Sequence, residues 1–274
     1  MASILSEAKS LVERGTKELL IISQDTSAYG LDLKFEETLV KGKKLKTNIY
    51  NLVNELASLG IWVRLHYIYP YPHVKQLIPL MDQNRVLPYL DVPFQHAHPD
   101  VLKRMARPSN NVHDLEQISE WRSINPDLSI RSTFIVGFPG ETESEFNFLL
   151  DWLEEAKIDR VGCFKYEDVS GARSNEMEDH LHDDIIQDRY DRFMSRAQQL
   201  SELKLKEKIG KKFTCVIDSV EEGHLICRSI FDAPEIDGIV SVPNKQRHYR
   251  VGEHVTVKIK GSSEYDLEGE LLIS

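Results

Sequence analysis

Ser129-Ile130-Arg131-Ser132-Thr133-Phe134-Ile135-Val136-Gly137-Phe138-Pro139-Gly140-Glu141-Thr142-Glu143-Ser144-Glu145 is the stretch whose reading decides the fold class. Ser129 to Val136 has the β-branched and aromatic content of a buried strand. A glycine–proline turn follows, and Thr142 with Glu145 has the T-x-x-E spacing of a capping box at a helix start. Strand, tight turn and helix in that order make one βα unit of a parallel sheet. Gly137 and Gly140 permit close approach of a ligand to the backbone, Pro139 stiffens the turn, and the helix start offers N–H groups to a carboxylate or phosphate. A tight connection with no ligand explains the same residues equally well.

Outward from this unit the rhythm repeats on both sides. Toward the N-terminus, Leu5, Ala8, Leu11 and Val12 recur on one helical face and Gly15 stops it, before a strand from Glu18 to Ser23. Helix Asn48 to Leu59 precedes strand Ile61 to Ile68, helix Val74 to Met81 precedes strand Leu87 to Val92, and helix Val112 to Ser123 leads into Ser129. Beyond the unit, helix Glu145 to Ala156 precedes strand Arg160 to Tyr166, and a long amphipathic helix runs from about Asp183 to Lys208. A βα series normally begins with a strand. A chain that begins with a helix is therefore expected to lack the first strand of its barrel.

After Gly210 the period changes from helical to two. Phe213 to Val220, His224 to Ile230, Ile239 to Val242, Val255 to Ile259 and Glu268 to Leu272 are separated by turn signals such as Glu222-Gly223 and Asp237-Gly238. This predicts a small antiparallel β-barrel over residues 209–274, after an α/β unit over 1–208.

Composition sets the outer limits. The chain has 274 residues, 41% of them hydrophobic and 28% charged, which excludes disorder and fibrous repeats. Lys plus Arg is 34 and Asp plus Glu is 44, a net charge of −10 that disfavours general phosphate-backbone binding and suits a basic partner. Three cysteines, Cys163, Cys215 and Cys227, point to a reducing compartment rather than a disulfide framework. No apolar run is long enough to span a membrane, and Met1-Ala2-Ser3-Ile4 does not begin a secretory signal, so a cytoplasmic protein with no membrane partner is expected.

In parallel α/β folds ligands meet the carboxyl ends of the strands. Four segments occupy such ends: Ser23-Gln24-Asp25-Thr26, Pro93 to His98, Gly137 to Thr142, and Lys165-Tyr166-Glu167-Asp168. Gln24 and Asp25 either bind a polar ligand or cap the strand end. His96 and His98, two apart on extended backbone, would face one way as a metal-dependent barrel hydrolase requires; alternatively His98 starts the helix Asp100 to Met105 and His96 hydrogen-bonds locally. No H-E-x-x-H or C-x-x-C pattern supports a metal.

Several strings together carry a family resemblance. Ile21-Ile22-Ser23-Gln24-Asp25-Thr26-Ser27-Ala28-Tyr29-Gly30, Leu90-Asp91-Val92-Pro93-Phe94-Gln95-His96, Arg131 to Thr142, and Asp159-Arg160-Val161-Gly162-Cys163-Phe164-Lys165-Tyr166 resemble the radical-SAM methylthiotransferase family, on the branch that modifies an aspartate of a small-subunit ribosomal protein. Arg228-Ser229 with Asp232 to Gly238 is similar to that family's TRAM domain. The resemblance implies a partial (βα)6 radical-SAM barrel, S-adenosylmethionine and [4Fe–4S] clusters as cofactors, and transfer of a methylthio group to the β-carbon of the target aspartate. It places cofactor contacts at Gln24, Asp25, Gln95, Arg131, Thr133, Ile135, Gly137 and Phe164. The family's C-x-x-x-C-x-x-C loop is not in this sequence, and thiolates are the ligands such a cluster requires. The chain alone is accordingly expected to be a catalytically incomplete fragment, with no catalytic or metal residues of its own. From Gly210 on, eight Lys and Arg stand against eleven Asp and Glu, net −3, which favours docking of a basic ribosomal protein over nucleic acid as main partner. A tRNA-modifying relative and a non-catalytic docking module are the other readings.

Overall fold

The computed structural model describes residues 1–82, 85–107, 111–244 and 248–272. Helix α1 (Ala2–Glu13) passes through Gly15, at φ 101°, into strand β1 (Glu18–Ile21). Strands β2 (Glu37–Val40) and β3 (Lys43–Lys46) form a hairpin. Helix α2 (Ile49–Ala57) starts on Asn48, whose side-chain oxygen accepts from the Asn51 N–H at 2.8 Å. Strand β4 (Trp62–Leu65), the one-turn helix α3 (Ile78–Asp82), strand β5 (Tyr89–Asp91), and helices α4 (Pro99–Arg104) and α5 (Asn111–Ile124) follow. Strand β6 (Ser129–Val136), helix α6 (Glu143–Ala156), strand β7 (Arg160–Lys165) and the 24-residue helix α7 (Asp183–Lys206) complete the α/β part.

The five long-range strands pair in parallel in the order β1-β4-β5-β6-β7. Each connection carries helices to one side, and the apolar alternate residues of the strands (Leu19, Val63, Leu65, Leu90, Ile130, Phe134) bury against them around Trp121, Phe146 and Trp152. The capping box forms: the Thr142 hydroxyl accepts from the Glu145 N–H at 3.3 Å, and the Glu145 carboxylate accepts from the Thr142 N–H at 2.7 Å. Strand β1 is an edge of the sheet, and beside it Ile4, Leu11, Leu20, Ile22, Tyr29 and Leu56 line an apolar groove of about 390 Å³.

Two local expectations change. The helix read over Val74 to Met81 is a 3-10 turn (Pro72–Gln76) followed by α3, because Pro79 has no N–H to continue the i to i−4 ladder. The β2–β3 hairpin was not expected from the sequence; it turns on Lys41 and Gly42 at φ 48° and 79°, and Val40 anchors it in the core.

Strands β8 (Lys212–Glu221), β9 (His224–Ser229), β10 (Val240–Pro243), β11 (His254–Ser262) and β12 (Leu267–Leu271) close into a barrel in the order β10-β12-β11-β8-β9. Four of its five pairs are antiparallel; β10 and β12 pair in parallel, Val240 beside Leu267, a departure from the all-antiparallel expectation. This barrel sits against the amino-terminal ends of the parallel strands. Arg160 on β7 donates to Asp232 and to the Tyr265 carbonyl (2.9 Å), Tyr89 donates to Asp237 at 2.8 Å, Arg64 to the Ile230 carbonyl at 3.1 Å, and Arg228 pairs with Glu18 at 2.7 Å. The loop 230–237 thus stoppers one end of the sheet's inner face with buried charge-assisted bonds.

Candidate cofactor-facing surface

Strand alternation sends one set of side chains to the helices and the other to the open inner face. That second set contains Leu20 on β1, Arg64 on β4, Tyr89 and Asp91 on β5, Arg131, Thr133 and Ile135 on β6, and Gly162 and Phe164 on β7. Three of the eight expected contact residues, Arg131, Thr133 and Ile135, therefore share one face of one strand at i, i+2 and i+4. Phe164, paired across from Ile135, joins them and is 65% exposed. Gln95 continues β5's line: its N–H donates to the Thr133 carbonyl at 3.0 Å and its carbonyl accepts from Ile135 at 2.8 Å, with φ at 68°.

The inner face is graded from charged to apolar. Near the stopper, the Asp91 carboxylate accepts from Arg131 at 3.0 Å and lies 3.3 Å from the His66 imidazole, and Arg131 reaches Asp237 at 3.5 Å. Burial pushes the Asp91 carboxyl up, but the His66 bond and the Arg131 charge outweigh it and the net shift is down. Arg131 moves up, since Asp91, Tyr89 and Asp237 overcome the burial that opposes its charge. Asp237 itself is raised, chiefly by burial, with Asp232 adding to it. Arg131 is thus committed to carboxylates of both the sheet and the C-terminal barrel, a tie its position in the sequence did not reveal. Toward the carboxyl ends, Thr133, Ile135, Phe164, Leu20 and Ile22 leave apolar and hydroxyl surface open.

Gln24 is exposed, whereas Asp25 is engaged within its own loop. One Asp25 oxygen accepts from Ser27 at 2.6 Å and the Ala28 N–H at 3.1 Å, and the other from the Tyr71 hydroxyl at 2.8 Å. The Asp25 bond pushes the Tyr71 phenol up to about 12. Tyr71 was not among the expected residues; the 46 positions between it and Asp25 hid the contact.

The glycine turn is occupied by protein groups. The Gly137 N–H donates to both Glu141 oxygens at 3.2 Å, Gly140 to the Asp179 carbonyl at 2.9 Å, and Glu141 to the Phe138 carbonyl at 2.9 Å. A Cβ on Gly137 would lie 2.7 Å from Ile186 of α7. Protein acceptors thus take these N–H groups; Ile186 leaves no room for a side chain on Gly137, and Gly140, with nothing nearer than 3.6 Å, is called for by its φ of 73°.

His96 and His98 do not converge as extended backbone would have them do. The His96 ring accepts from the His98 N–H at 2.9 Å and turns its other nitrogen to buried Glu141 at 3.3 Å, while His98 accepts from the Asp100 N–H at 3.3 Å as the cap of α4. Donor atoms of His98, Asp100 and Glu145 lie within 4.8 Å of one another, but Arg104 already fills the cation position on Glu145 at 2.9 and 3.0 Å.

The thiols do not fit an iron–sulfur cluster. Cys163 packs on the helix-facing side of β7, and Cys215 and Cys227 point into the small barrel at 0% exposure; burial raises all three thiols, Cys227 to about 12. Cluster ligation needs thiolates. The inner face, by contrast, suits S-adenosylmethionine: the open Ile135–Phe164 pair offers an apolar bed for a purine, next to hydroxyl, amide and charged groups.

Comparison with known proteins places the molecule. Residues 1–153 match the family model of the Radical SAM superfamily and residues 209–272 that of the TRAM domain, so the chain belongs to the radical SAM superfamily. Across 98% of its length it is 53% identical to the ribosomal protein uS12 methylthiotransferase RimO of Ruegeria pomeroyi and 55% identical to the protein of that name from Jannaschia sp.. The chain spans 58% of the length of each. Among solved structures, Escherichia coli coproporphyrinogen III oxidase (HemN) is similar at 17% identity and a TM-score of 0.47, covering 56% of this chain and 36% of that one.

Proposed function

We propose that this chain is the inner-sheet and TRAM part of a uS12 methylthiotransferase of the RimO type. The carrying observation is identity above half over nearly the whole chain to proteins of that name. Gln24, Gln95, Thr133, Ile135 and Phe164 hold S-adenosylmethionine in this reading, Asp25 shapes the loop that presents Gln24, and Arg131 and Gly137 shape the surface from behind, being taken up by Asp91 and Asp237 and by Glu141 and Ile186. When bound, S-adenosylmethionine supplies the radical chemistry for which the superfamily is named. The chain's own contribution is to position it: Ile135 and Phe164 bed the base, Thr133 and Gln95 meet polar atoms, and Asp91 fixes Arg131. Cluster thiolates come from outside the residues of this chain, so the chain by itself is catalytically incomplete. The acidic TRAM domain, net −3, takes up the basic acceptor protein, and the setting is the cytoplasm.

The test is the mass of uS12 in source cells with and without this gene. Loss of one methylthio group on deletion, restored by the gene as it stands in the genome, is the expected result; an unmodified or unchanged uS12 overturns the proposal. Because the three thiols fit no cluster, a non-catalytic docking module is the second reading. Intact mass with iron and acid-labile sulfide on the endogenous protein separates the two: a species heavier than 31.6 kDa carrying iron supports catalysis, and an iron-free 31.6 kDa species supports docking alone.

A further inference from the structure

The chain carries a net charge of −10, yet one cavity beside the joint between sheet and barrel is rich in cations. It holds about 220 Å³ and lies where the carboxyl ends of α5, α6 and α7 meet the start of β6, with Phe213 and Phe231 of the small barrel in its wall. Arg122, Lys157, Lys204, Lys208 and Lys211 line it, against the carboxylates of Asp127, Asp159 and Glu207. Two of the five cations are accounted for by protein acceptors. Arg122 donates to the Ala156 and Lys157 carbonyls at 2.7 and 2.6 Å, closing the carboxyl end of α6, and to Asp159 at 3.1 Å. Lys204 donates to the Lys157 carbonyl at 2.6 Å and pairs with Asp159 at 2.5 Å. Asp159 also accepts from the Ile130 N–H at 3.0 Å, so this carboxylate is taken up.

The other three cations have no such account. Among the described residues no carboxylate forms an ion pair with Lys157, Lys208 or Lys211, and Asp127 and Glu207 stand exposed. The Lys208 amine lies 4.6 Å from the centroid of the Phe231 ring. Asp232 attracts it, but the Asp232 oxygens accept from Arg160 and Ser229. These amines are gathered closely enough to act on one another. Burial holds Lys204 below the usual lysine value, and Arg122 and Lys208 add to that against the pull of Asp159. Burial likewise lowers Lys208, with Arg160 and Lys211 adding to it against Asp232 and Asp159. The positive charge of the cavity therefore exceeds what the protein's own carboxylates offset.

We propose that this cavity binds one phosphate ion, held by Lys157, Lys208 and Lys211 and bordered by Arg122 and Lys204. Lysine meets phosphate as a point charge with donors that turn freely, so three amines from separate elements can share one tetrahedral oxyanion. The space suits it: about 220 Å³ takes such an ion together with a few waters of about 30 Å³ each. Lys157 ends α6, Lys208 follows α7 and Lys211 leads into β8, so the bound ion ties the α/β part to the small barrel at their joint. The proposal stands apart from the uS12 reading.

The test is calorimetric titration of the intact chain with sodium phosphate, from about 0.1 to about 20 mM at a constant ionic strength made up with KCl. Saturable heat with one phosphate per chain is expected. The urea midpoint should rise over the same range and then level off, whereas the general stabilisation that phosphate gives a fold through its exclusion from protein surface does not saturate. Lys208→Gln and, separately, Lys157→Gln/Lys211→Gln should each weaken binding about tenfold, as expected for loss of hydrogen bonds to a charged group. Lys43→Gln/Lys46→Gln, on the β2–β3 hairpin, should bind phosphate as the native chain does. Lys157 and Lys211 are exposed, so their double variant keeps its fold and carries the test where Lys208→Gln does not fold. Heat that does not saturate overturns the proposal. Binding left unchanged in the Lys157/Lys211 variant, or weakened equally in the hairpin variant, overturns it as well.

Discussion

Gly137 shows how a single position can be demanded by packing. Its φ of 81° lies in the region where a side chain is strained, and Ile186 stands 2.7 Å from any Cβ placed there. Gly137→Ala is expected to destabilise the chain by about 1–3 kcal/mol from the backbone alone, with the displaced Ile186 adding to it. Urea unfolding of Gly137→Ala, Ile186→Ala and the double variant checks this: the double should be less destabilised than the sum of the singles, because one half of the clash is gone. The glycine–proline turn was legible in the sequence because strand period, turn and capping box are all local. What the turn touches was not, since Ile186 comes 49 residues later in another helix.

At the level of elements, the five parallel strands, most flanking helices and the strands of the small barrel were readable from period, with ends displaced by up to three residues; the break before Pro79 and the parallel β10–β12 pair were not. The β2–β3 hairpin escaped because Lys43-Lys44-Leu45-Lys46 has the charge of a loop, and only Val40 on its inner side reports a core. The interdomain joint escaped because Arg160 and Asp232 are 72 positions apart. Asp232 is 1% exposed, and although burial raises its carboxyl, Arg160 and Lys208 bring it below the ordinary range. Arg160→Leu leaves that charge with Lys208 as its remaining named cation and is expected to cost about 3 kcal/mol, read as a lower urea midpoint. Adding Asp232→Asn, which keeps an oxygen for the Ser229 hydroxyl at 2.5 Å, should recover a large part of the loss. On the inner face, Arg131, Thr133 and Ile135 could be grouped from strand alternation; the Asp25–Tyr71 and Arg131–Asp237 bonds could not.

The whole molecule should unfold as one body, because the joint is made of buried charged bonds rather than a flexible linker. Trp62, Trp121 and Trp152 all lie in the α/β part, and Cys215 and Cys227 are buried in the small barrel, so once Cys163 on β7 is replaced by serine, tryptophan emission and thiol labelling report on opposite sides of the joint. Their urea transitions are expected to coincide in the native chain and to separate in Arg160→Leu. Acid should act on the same joint. Asp91, Asp159 and Asp232 all have net lowered carboxyl values despite burial, through Arg131 and His66, through Lys204 and Arg122, and through Arg160 and Lys208. Stabilisation from such groups is complete above the unfolded carboxylate value of about 4 and is lost as pH falls through the lowered folded values. Asp237, raised by burial, has the opposite sign and weakens the fold as it ionises with rising pH. The urea midpoint should therefore fall steeply from about pH 4 downward, and less steeply in Arg160→Leu/Asp232→Asn, where one of the three carboxyls is gone.

A joint of this kind also fixes a distance. With Arg160, Tyr89, Arg64 and Glu18 of the sheet each bonded to the small barrel, that barrel keeps a constant offset from the inner face. A molecule that touched both the barrel and the open carboxyl ends of the strands would have to span that fixed distance.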